Sequence, residues 1–306
     1  MSDRPTQHFI PSGEHTSRLV QACRLARLCL HMVSGCLQVG IVFPFLPSRW
    51  RFLFIRRWSR QLLRILRVHY ATRGELPAGS PTLIVSNHVS WLDIWIINSV
   101  VGVRFVAKSD IRRWPVIGFL VKGAGTIFIE RDKRHDTART NRYIVRALTR
   151  GEYVAIFPEG ICTDGREVRP YHASLFQPAV GAGAKVAVLA LRYVREDGEL
   201  NDDASYAGER SLLQSTRLIL RQRTLQAEVI WAGEVAVSGK TRREIAVEAE
   251  LATARALMLA PPRRKSGTSG DPPGVPPKAH APTDTPYPEQ SRPAATPDPG
   301  LTSGRR

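Results

Sequence analysis

A histidine and an aspartate five residues apart, His88 and Asp93, stand where an apolar run breaks: Leu83-Ile84-Val85-Ser86-Asn87-His88-Val89-Ser90-Trp91-Leu92-Asp93. Such a pair suits general-base chemistry. An imidazole titrates near neutrality, at about 6.5 when unperturbed. With one ring nitrogen steadied by a carboxylate, the other is free to take a proton from a hydroxyl. No serine or cysteine lies in a recognisable nucleophile elbow, which points to a hydroxyl of the substrate as the attacking group. Lys108 and Arg131 end other apolar runs, and cations there suit an anionic substrate group, phosphate being the natural candidate. The spacing Ser90-x-x-Asp93 is also that of a helix cap, under which Asp93 would only stabilise a helix start. From spacing alone, both readings stand.

These residues need a scaffold that brings strand ends together. Thr82 to Val85 reads as a short buried strand entered from Gly79-Ser80-Pro81. Trp91 to Val101 reads as a helix with Ser90 as its N-cap, so His88 falls in the turn between them, where α/β enzymes place reactive side chains. Further strands are expected at 103–108, 125–131, 153–157, 185–191 and 227–231, with helices at 136–148, 209–223 and 241–259. The helix at 241 opens on the capping box Thr241-Arg242-Arg243-Glu244. The alternation predicts an α/β fold: a mixed, mostly parallel sheet flanked by helices. Asn87-His88, Lys108, Glu130-Arg131 and Pro158-Glu159-Gly160 would then converge on one edge of the sheet.

The chain has 306 residues, a net charge of +17 and a sequence pI near 10.5. That excess demands a polyanionic neighbour, either nucleic acid or an anionic membrane surface. Residues 1–67 hold eleven arginines against two acids, Asp3 and Glu14, beside the most apolar stretch of the chain, which favours the membrane over nucleic acid. That stretch, Leu28 to Leu46, is long enough to cross a bilayer, though His31, Ser34 and Gln38 interrupt it and Pro44 and Pro47 close it. A true span and a shallow re-entrant helix are both open. Three arginines flank it closely on the N-terminal side (Arg18, Arg24, Arg27) and seven on the other (Arg49 through Arg67), which puts the rest of the chain on the cytoplasmic face. From Arg49 to Arg67 an amphipathic helix carries Arg56, Arg60, Arg64 and Arg67 as one basic stripe, with Trp50 and Trp58 as candidate interface anchors. Residues 1–16 and the Pro-rich tail 261–306 are expected to be disordered, flanking a membrane-associating segment (17–70) and an α/β domain (71–260). The four cysteines show no metal-ligand spacing and read as free thiols of a reducing compartment.

Three blocks in order, Asn87-His88-x-Ser90-Trp91-x-Asp93, Gly125-x-Ile127-Phe128-Ile129-x-Arg131 and Phe157-Pro158-Glu159-Gly160, resemble those of the glycerolipid acyltransferases, the superfamily of 1-acylglycerol-3-phosphate acyltransferases. The likeness covers about residues 70–195. It implies that His88 deprotonates the hydroxyl of a lysophospholipid, which attacks the thioester of an acyl-CoA or acyl carrier protein, while Asp93 orients the imidazole and stabilises its charged form. It implies an acceptor-phosphate role for Arg131 and an acceptor-binding role for Glu159-Gly160, with Asn87 and Lys108 as further substrate-binding candidates. No cofactor beyond the acyl donor is expected. Ile161 stands where the family commonly has threonine, Thr163 is a candidate for the displaced hydroxyl, and Tyr171-His172 takes the place of a basic–aromatic pair. These departures leave the acceptor open between lysophosphatidic acid and another lyso-lipid such as a lyso-ornithine lipid. The contrasting reading, a non-catalytic basic protein that binds anionic lipid, requires no turnover at all.

Overall fold

Leu83, Ile84 and Val85 are completely buried, and the fold is built outward from them. The computed structural model describes residues 15–75, 81–129 and 134–262. Seven strands form one sheet: β1 (Val68–Arg73), β2 (Thr82–Ser86), β3 (Arg104–Lys108), β4 (Ile127–Ile129), β5 (Val154–Ile156), β6 (Lys185–Val194) and β7 (Leu225–Val235). Their spatial order is β1-β7-β6-β2-β5-β3-β4, with β2 at the centre. Every pairing is parallel except β6 with β7, which run antiparallel with a register shift between Val188 and Leu189. The sheet is therefore mixed and mostly parallel, as the alternation of patterns predicted.

A central parallel strand is covered on both faces, and the side chains of β2 alternate accordingly. Ile84 points into a core shared with α2 (Ser48–Leu66), α3 (Leu92–Val100) and α7 (Leu212–Arg221). Leu83 and Val85 point into the opposite core with α5 (Arg134–Thr149), α6 (Gln177–Ala182) and α8 (Arg242–Leu257). Capping boxes open α7 (Ser211 with Gln214) and α8 (Thr241 with Glu244). β1 was not expected from the sequence. It follows α2 directly through Arg67, which takes the left-handed conformation at φ 58°, and it pairs with β7 over six residues.

The N-terminal segment differs in three respects from its sequence reading. The helix begins ten residues earlier, since Ser17 caps α1 (Arg18–Leu37) by accepting from the Val20 N–H. It continues through a π-helical turn at Gln38–Val42 and a 3-10 turn at Phe43–Phe45, ended by the two prolines. Arg18–Phe45 is the one helical stretch among the described residues that is long and apolar enough to cross a membrane, with mean hydropathy 1.7. One face of α1 nevertheless lies on the domain. The Arg24 guanidinium donates to the carbonyls of Gln222 (2.7 Å) and Arg223 (3.2 Å), and the His31 ring stacks on Trp58 at 4.3 Å. The other face exposes Leu19, Leu25, Leu30, Val33, Leu37, Ile41 and Phe45.

The second difference concerns the basic stripe. Arg56 and Arg60 turn inward, and both donate through Nε to the carbonyl of Ser99 (3.2 and 2.9 Å). Ser99 lies in the last turn of α3, whose carbonyls have no partner within the helix, so two cations close that end. The third is Trp58, expected as an interface anchor but buried at 6% exposure between His31 and Trp95. A fourth α-helix of the apolar surface, α4 (Ile117–Gly123), packs beside α1, while Trp114, Val116 and Phe119 around it are exposed.

Candidate active site

The turn between β2 and α3 is fixed before any reacting group is considered. Asn87 is 1% exposed, and its side chain extends the pairing of β2 with β6: Nδ2 donates to the Leu191 carbonyl and Oδ1 accepts the Leu191 N–H, both at 2.8 Å. Both ends of the amide of Asn87, a substrate-binding candidate in the sequence, are thus matched by backbone. On the far side of the turn, Ser90 Oγ accepts the Leu92 N–H and α3 begins.

His88 projects from this turn with 17% of its side chain exposed, and its Nδ1–H donates to Asp93 Oδ2 at 2.8 Å. A carboxylate only accepts, so the proton sits on Nδ1 and the lone pair on Nε2. No described residue bonds Nε2. The ring stacks on Phe157, with centroids 3.9 Å apart and planes 10° from parallel, and Phe157 stacks in turn on Phe105 at 5.6 Å. One face of the imidazole is thereby walled, and rotation out of the plane of the Asp93 bond is blocked.

Asp93 is wholly buried, so each of its lone pairs needs a donor. Oδ2 accepts from Val89 N–H (2.8 Å) and Ser90 N–H (2.9 Å) as well as from His88, and Oδ1 accepts from the Tyr193 hydroxyl at 2.6 Å. The capping reading and the orienting reading of Asp93 thus both hold, on the same oxygen. Tyr193 escaped the sequence reading, which ended the β6 strand at Leu191. A polar-tipped aromatic two residues farther along a buried strand was the available signal. Burial, and then the charge of Asp93, raise the Tyr193 hydroxyl well above the ordinary phenol range, so it remains a donor.

Glu159, which the resemblance gives an acceptor-binding role, is tied to the histidine turn. It is 4% exposed, Oε2 accepts the His88 N–H (2.9 Å) and Oε1 accepts the Arg169 N–H (3.0 Å). The side chain ties the turn after β5 to the histidine turn, and neither oxygen faces open space. Burial pushes its carboxyl up to about 7, with the Asp93 charge adding to the shift and the two N–H bonds opposing it. Gly160 follows at φ 77°, a conformation that favours glycine. Thr163, considered as a displaced hydroxyl, is buried and lies against the His88 carbonyl, which accepts its N–H at 2.8 Å. Tyr171 is also buried, its hydroxyl bonded to Thr253. Burial drives the neighbouring Cys162 thiol far above its usual range, helped by Asp93 and Glu159, which disarms it as a nucleophile.

Lys108 ends β3 on the same carboxyl edge of the sheet, exposed and without a carboxylate partner among the described residues. Arg131, with Glu130, lies outside the described residues. The structure therefore brings together His88, Asp93, Glu159, Gly160 and Tyr193 around one turn, with Lys108 two strands away across β5.

Comparisons with known proteins meet this geometry. A family model described as "Acyltransferase" matches residues 67–193. A lyso-ornithine lipid O-acyltransferase of Pseudomonas aeruginosa is 34% identical over 211 residues, 69% of this chain and 80% of that protein. One of Brucella abortus is 32% identical over 241 residues, 72% of this chain and 90% of that protein. A 1-acyl-sn-glycerol-3-phosphate acyltransferase of Neisseria gonorrhoeae is 45% identical over 125 residues, 41% of this chain, and the match spans only 49% of that relative's length. In fold, the chain is similar to the crystal structure of the 1-acyl-sn-glycerophosphate acyltransferase PlsC of Thermotoga maritima, with a TM-score of 0.56 at 17% identity, covering 78% of this chain and 96% of that one.

Proposed function

The chain belongs to the glycerolipid acyltransferase superfamily, and on that premise we propose that it moves a fatty acyl chain from an acyl thioester to the free hydroxyl of a lysophospholipid, converting 1-acylglycerol-3-phosphate to phosphatidic acid. The observation that carries the reading is the 2.8 Å His88–Asp93 contact with Nε2 left unpartnered. Nε2 takes the proton of the acceptor hydroxyl as its oxygen attacks the thioester carbonyl. Asp93 stabilises the imidazolium that forms, and collapse of the tetrahedral intermediate expels the thiolate, which the imidazolium reprotonates. A thioester is already activated, so no cofactor beyond the donor is required. Glu159, Asn87 and Tyr193 position the base. Lys108 is the described cation best placed for an acceptor phosphate, and Arg131, outside the described residues, keeps the acceptor-phosphate role that the resemblance implies.

A second acceptor, a lyso-ornithine lipid, is supported by a specific observation: the two relatives aligned over most of their length carry that activity in their names. That acceptor has no phosphate to hold, which separates the two readings at Lys108. For location, we propose the cytoplasmic membrane surface, from the arginine asymmetry around the apolar stretch. Because α1 is fastened to the domain at Arg24 and at His31, its exposed apolar face suits a helix lying in the interface better than one crossing it.

The test is acyl transfer from labelled acyl-CoA and from acyl carrier protein to a panel of lyso-lipids by membranes holding the wild type or His88→Ala. The variant is expected to lose about a thousandfold in rate or more while still partitioning to membranes. Lys108→Ala should raise KM for lysophosphatidic acid and leave a lyso-ornithine lipid unaffected. Undiminished transfer by His88→Ala would sink the mechanism.

A further inference from the structure

Along the outer edge of the sheet, β4, α5 and the 3-10 turn at Ser109–Arg113 enclose a cavity of about 570 Å³ that the proposed chemistry does not use. Five arginines line it, with Glu152. Arg104 is already committed, since it is paired with Glu152, donates to the Gly125 carbonyl and lies over the Phe52 ring. Arg112, Arg139, Arg146 and Arg150 are exposed and have no carboxylate partner among the described residues. Clustering four like charges in a concavity, with no carboxylate partner among the described residues, is unfavourable by itself. The dipole at the end of α5 accounts for Arg146 and Arg150, but not for Arg139 or Arg112.

We propose that this cavity holds the nucleotide end of the acyl donor, the 3′-phosphorylated adenosine diphosphate of coenzyme A. The inference rests on the acyl-thioester reading above and deepens it by choosing the donor. Charge is the first support. A 3′-phosphate and a diphosphate bridge together carry close to four negative charges, equal in number to the four exposed guanidiniums, and guanidinium forks suit phosphate oxygens. The second is the wall. Tyr143 is 47% exposed with Arg139 against its ring at 5.7 Å, an aromatic–guanidinium surface of the kind on which a purine stacks.

Size is the third support. The stripe from Arg139 to Arg150 runs about 16 Å along α5 at 1.5 Å per residue. A volume of about 570 Å³ lies within the ordinary range for small-molecule sites. Reach is the fourth. Ser109, part of the cavity lining, directly follows Lys108 on the carboxyl edge that carries His88. From β2 across β5 and β3 to β4 is three strand spacings, about 14 Å, the order of length of an extended pantetheine arm. A nucleotide seated here would hand its thioester inward along that edge.

The test uses the purified full chain in detergent, with Arg139→Ala/Arg146→Ala as the variant, since both side chains face solvent. Adenosine 3′,5′-bisphosphate should bind the wild type saturably and the variant at least tenfold more weakly. The variant should raise KM for palmitoyl-CoA about ten- to a hundredfold, the usual effect of losing charge-assisted phosphate contacts. KM for the lyso-lipid, and the rate from the palmitoyl thioester of N-acetylcysteamine, which lacks the nucleotide, should not change. Nucleotide affinity and palmitoyl-CoA KM both untouched would overturn the proposal, as would a KM effect confined to acyl carrier protein. Failure of the acyl-transfer reading is visible separately, as a wild type that turns over neither thioester, with the nucleotide titration still deciding whether the cavity binds.

Discussion

Tyr193→Phe removes a single hydroxyl from the buried side of the site, and its consequences can be worked in advance. The lost bond is 2.6 Å long and its acceptor, Asp93 Oδ1, belongs to a carboxylate with no solvent access. Removing the donor leaves a buried charged oxygen unsatisfied, at a cost on the order of 1.5–3 kcal/mol. For a folded unit of this size each kcal/mol moves the midpoint of thermal unfolding by about 2–4 °C, so a fall of about 3–12 °C is expected. The second consequence is electrostatic. Without the tyrosine donor the carboxylate charge is drawn toward Oδ2, where His88 is bonded, and the imidazolium is held more tightly. The acid limb of kcat/KM against pH should therefore move upward, and kcat should fall about tenfold. The assays are thermal unfolding and kcat/KM from pH 5 to 9 for the wild type and the variant. A lowered midpoint with an unmoved acid limb would reduce Tyr193 to core packing. No change in either would mean that the hydroxyl does not bond Asp93.

Two further perturbations read the positioning layer. Glu159, ordinarily near 4.5 and raised to about 7 in the fold, contributes stability that is complete below pH 4.5, declines as pH rises toward 7 and is gone above it, because the unfolded chain releases the proton first. The decline amounts to about 3 kcal/mol. Urea unfolding at pH 5, 6, 7 and 8 should show it for the wild type and a flatter profile for Glu159→Gln, and parallel profiles would contradict the assignment. At the N-terminal segment, a Cβ on Gly35 would meet Trp58 Nε1 at 2.9 Å and Leu120 Cδ2 at 3.1 Å. Gly35→Val should therefore loosen α1 from α2, at about 1–3 kcal/mol, with new proteolytic cleavage between them and membrane partitioning retained. An unaltered cleavage pattern would show that the contact is not needed to hold α1 down.

What could be read from the sequence was what the chain keeps local. His88 and Asp93 are five residues apart and meet across one helix start, so pattern and spacing were enough to pair them. The strand before them declared itself by β-branched, uninterrupted apolarity, as a strand buried on both faces should. The partners that lock the pair were not legible. Asn87 meets Leu191 across 104 positions, Asp93 meets Tyr193 across 100 and His88 meets Glu159 across 71. Each depends on which strands become neighbours and in what register, and periodicity fixes neither. The inward turn of Arg56 and Arg60 has the same origin: a stripe of arginines looks destined for solvent until the carbonyl end of α3 is placed beneath it. β1 was lost because Val68, Tyr70 and Thr72 follow immediately on a helix and gain a partner only from the far end of the domain.

Three separate segments, the turn after β5, the loop at Tyr206 and β6, converge on the turn that holds the proposed base, and together they explain how a helix cap could serve as half of the proposed catalytic pair. The His88 N–H is taken by Glu159, its carbonyl by the Thr163 N–H, the Val89 carbonyl by the Tyr206 N–H, and the preceding Asn87 by Leu191. With the backbone fixed on both sides, a carboxylate accepting the Val89 and Ser90 N–H groups has no freedom to turn away from the imidazole, and Tyr193 closes its remaining oxygen. A cap in an exposed helix would have solvent to compete with and would orient nothing. Burial converts the same hydrogen bonds into a rigid seat, in which the donors stand ready before the imidazole gains its proton and little reorganisation is needed when it does. On this reasoning the residues beneath the turn fix the geometry of the His88–Asp93 pair.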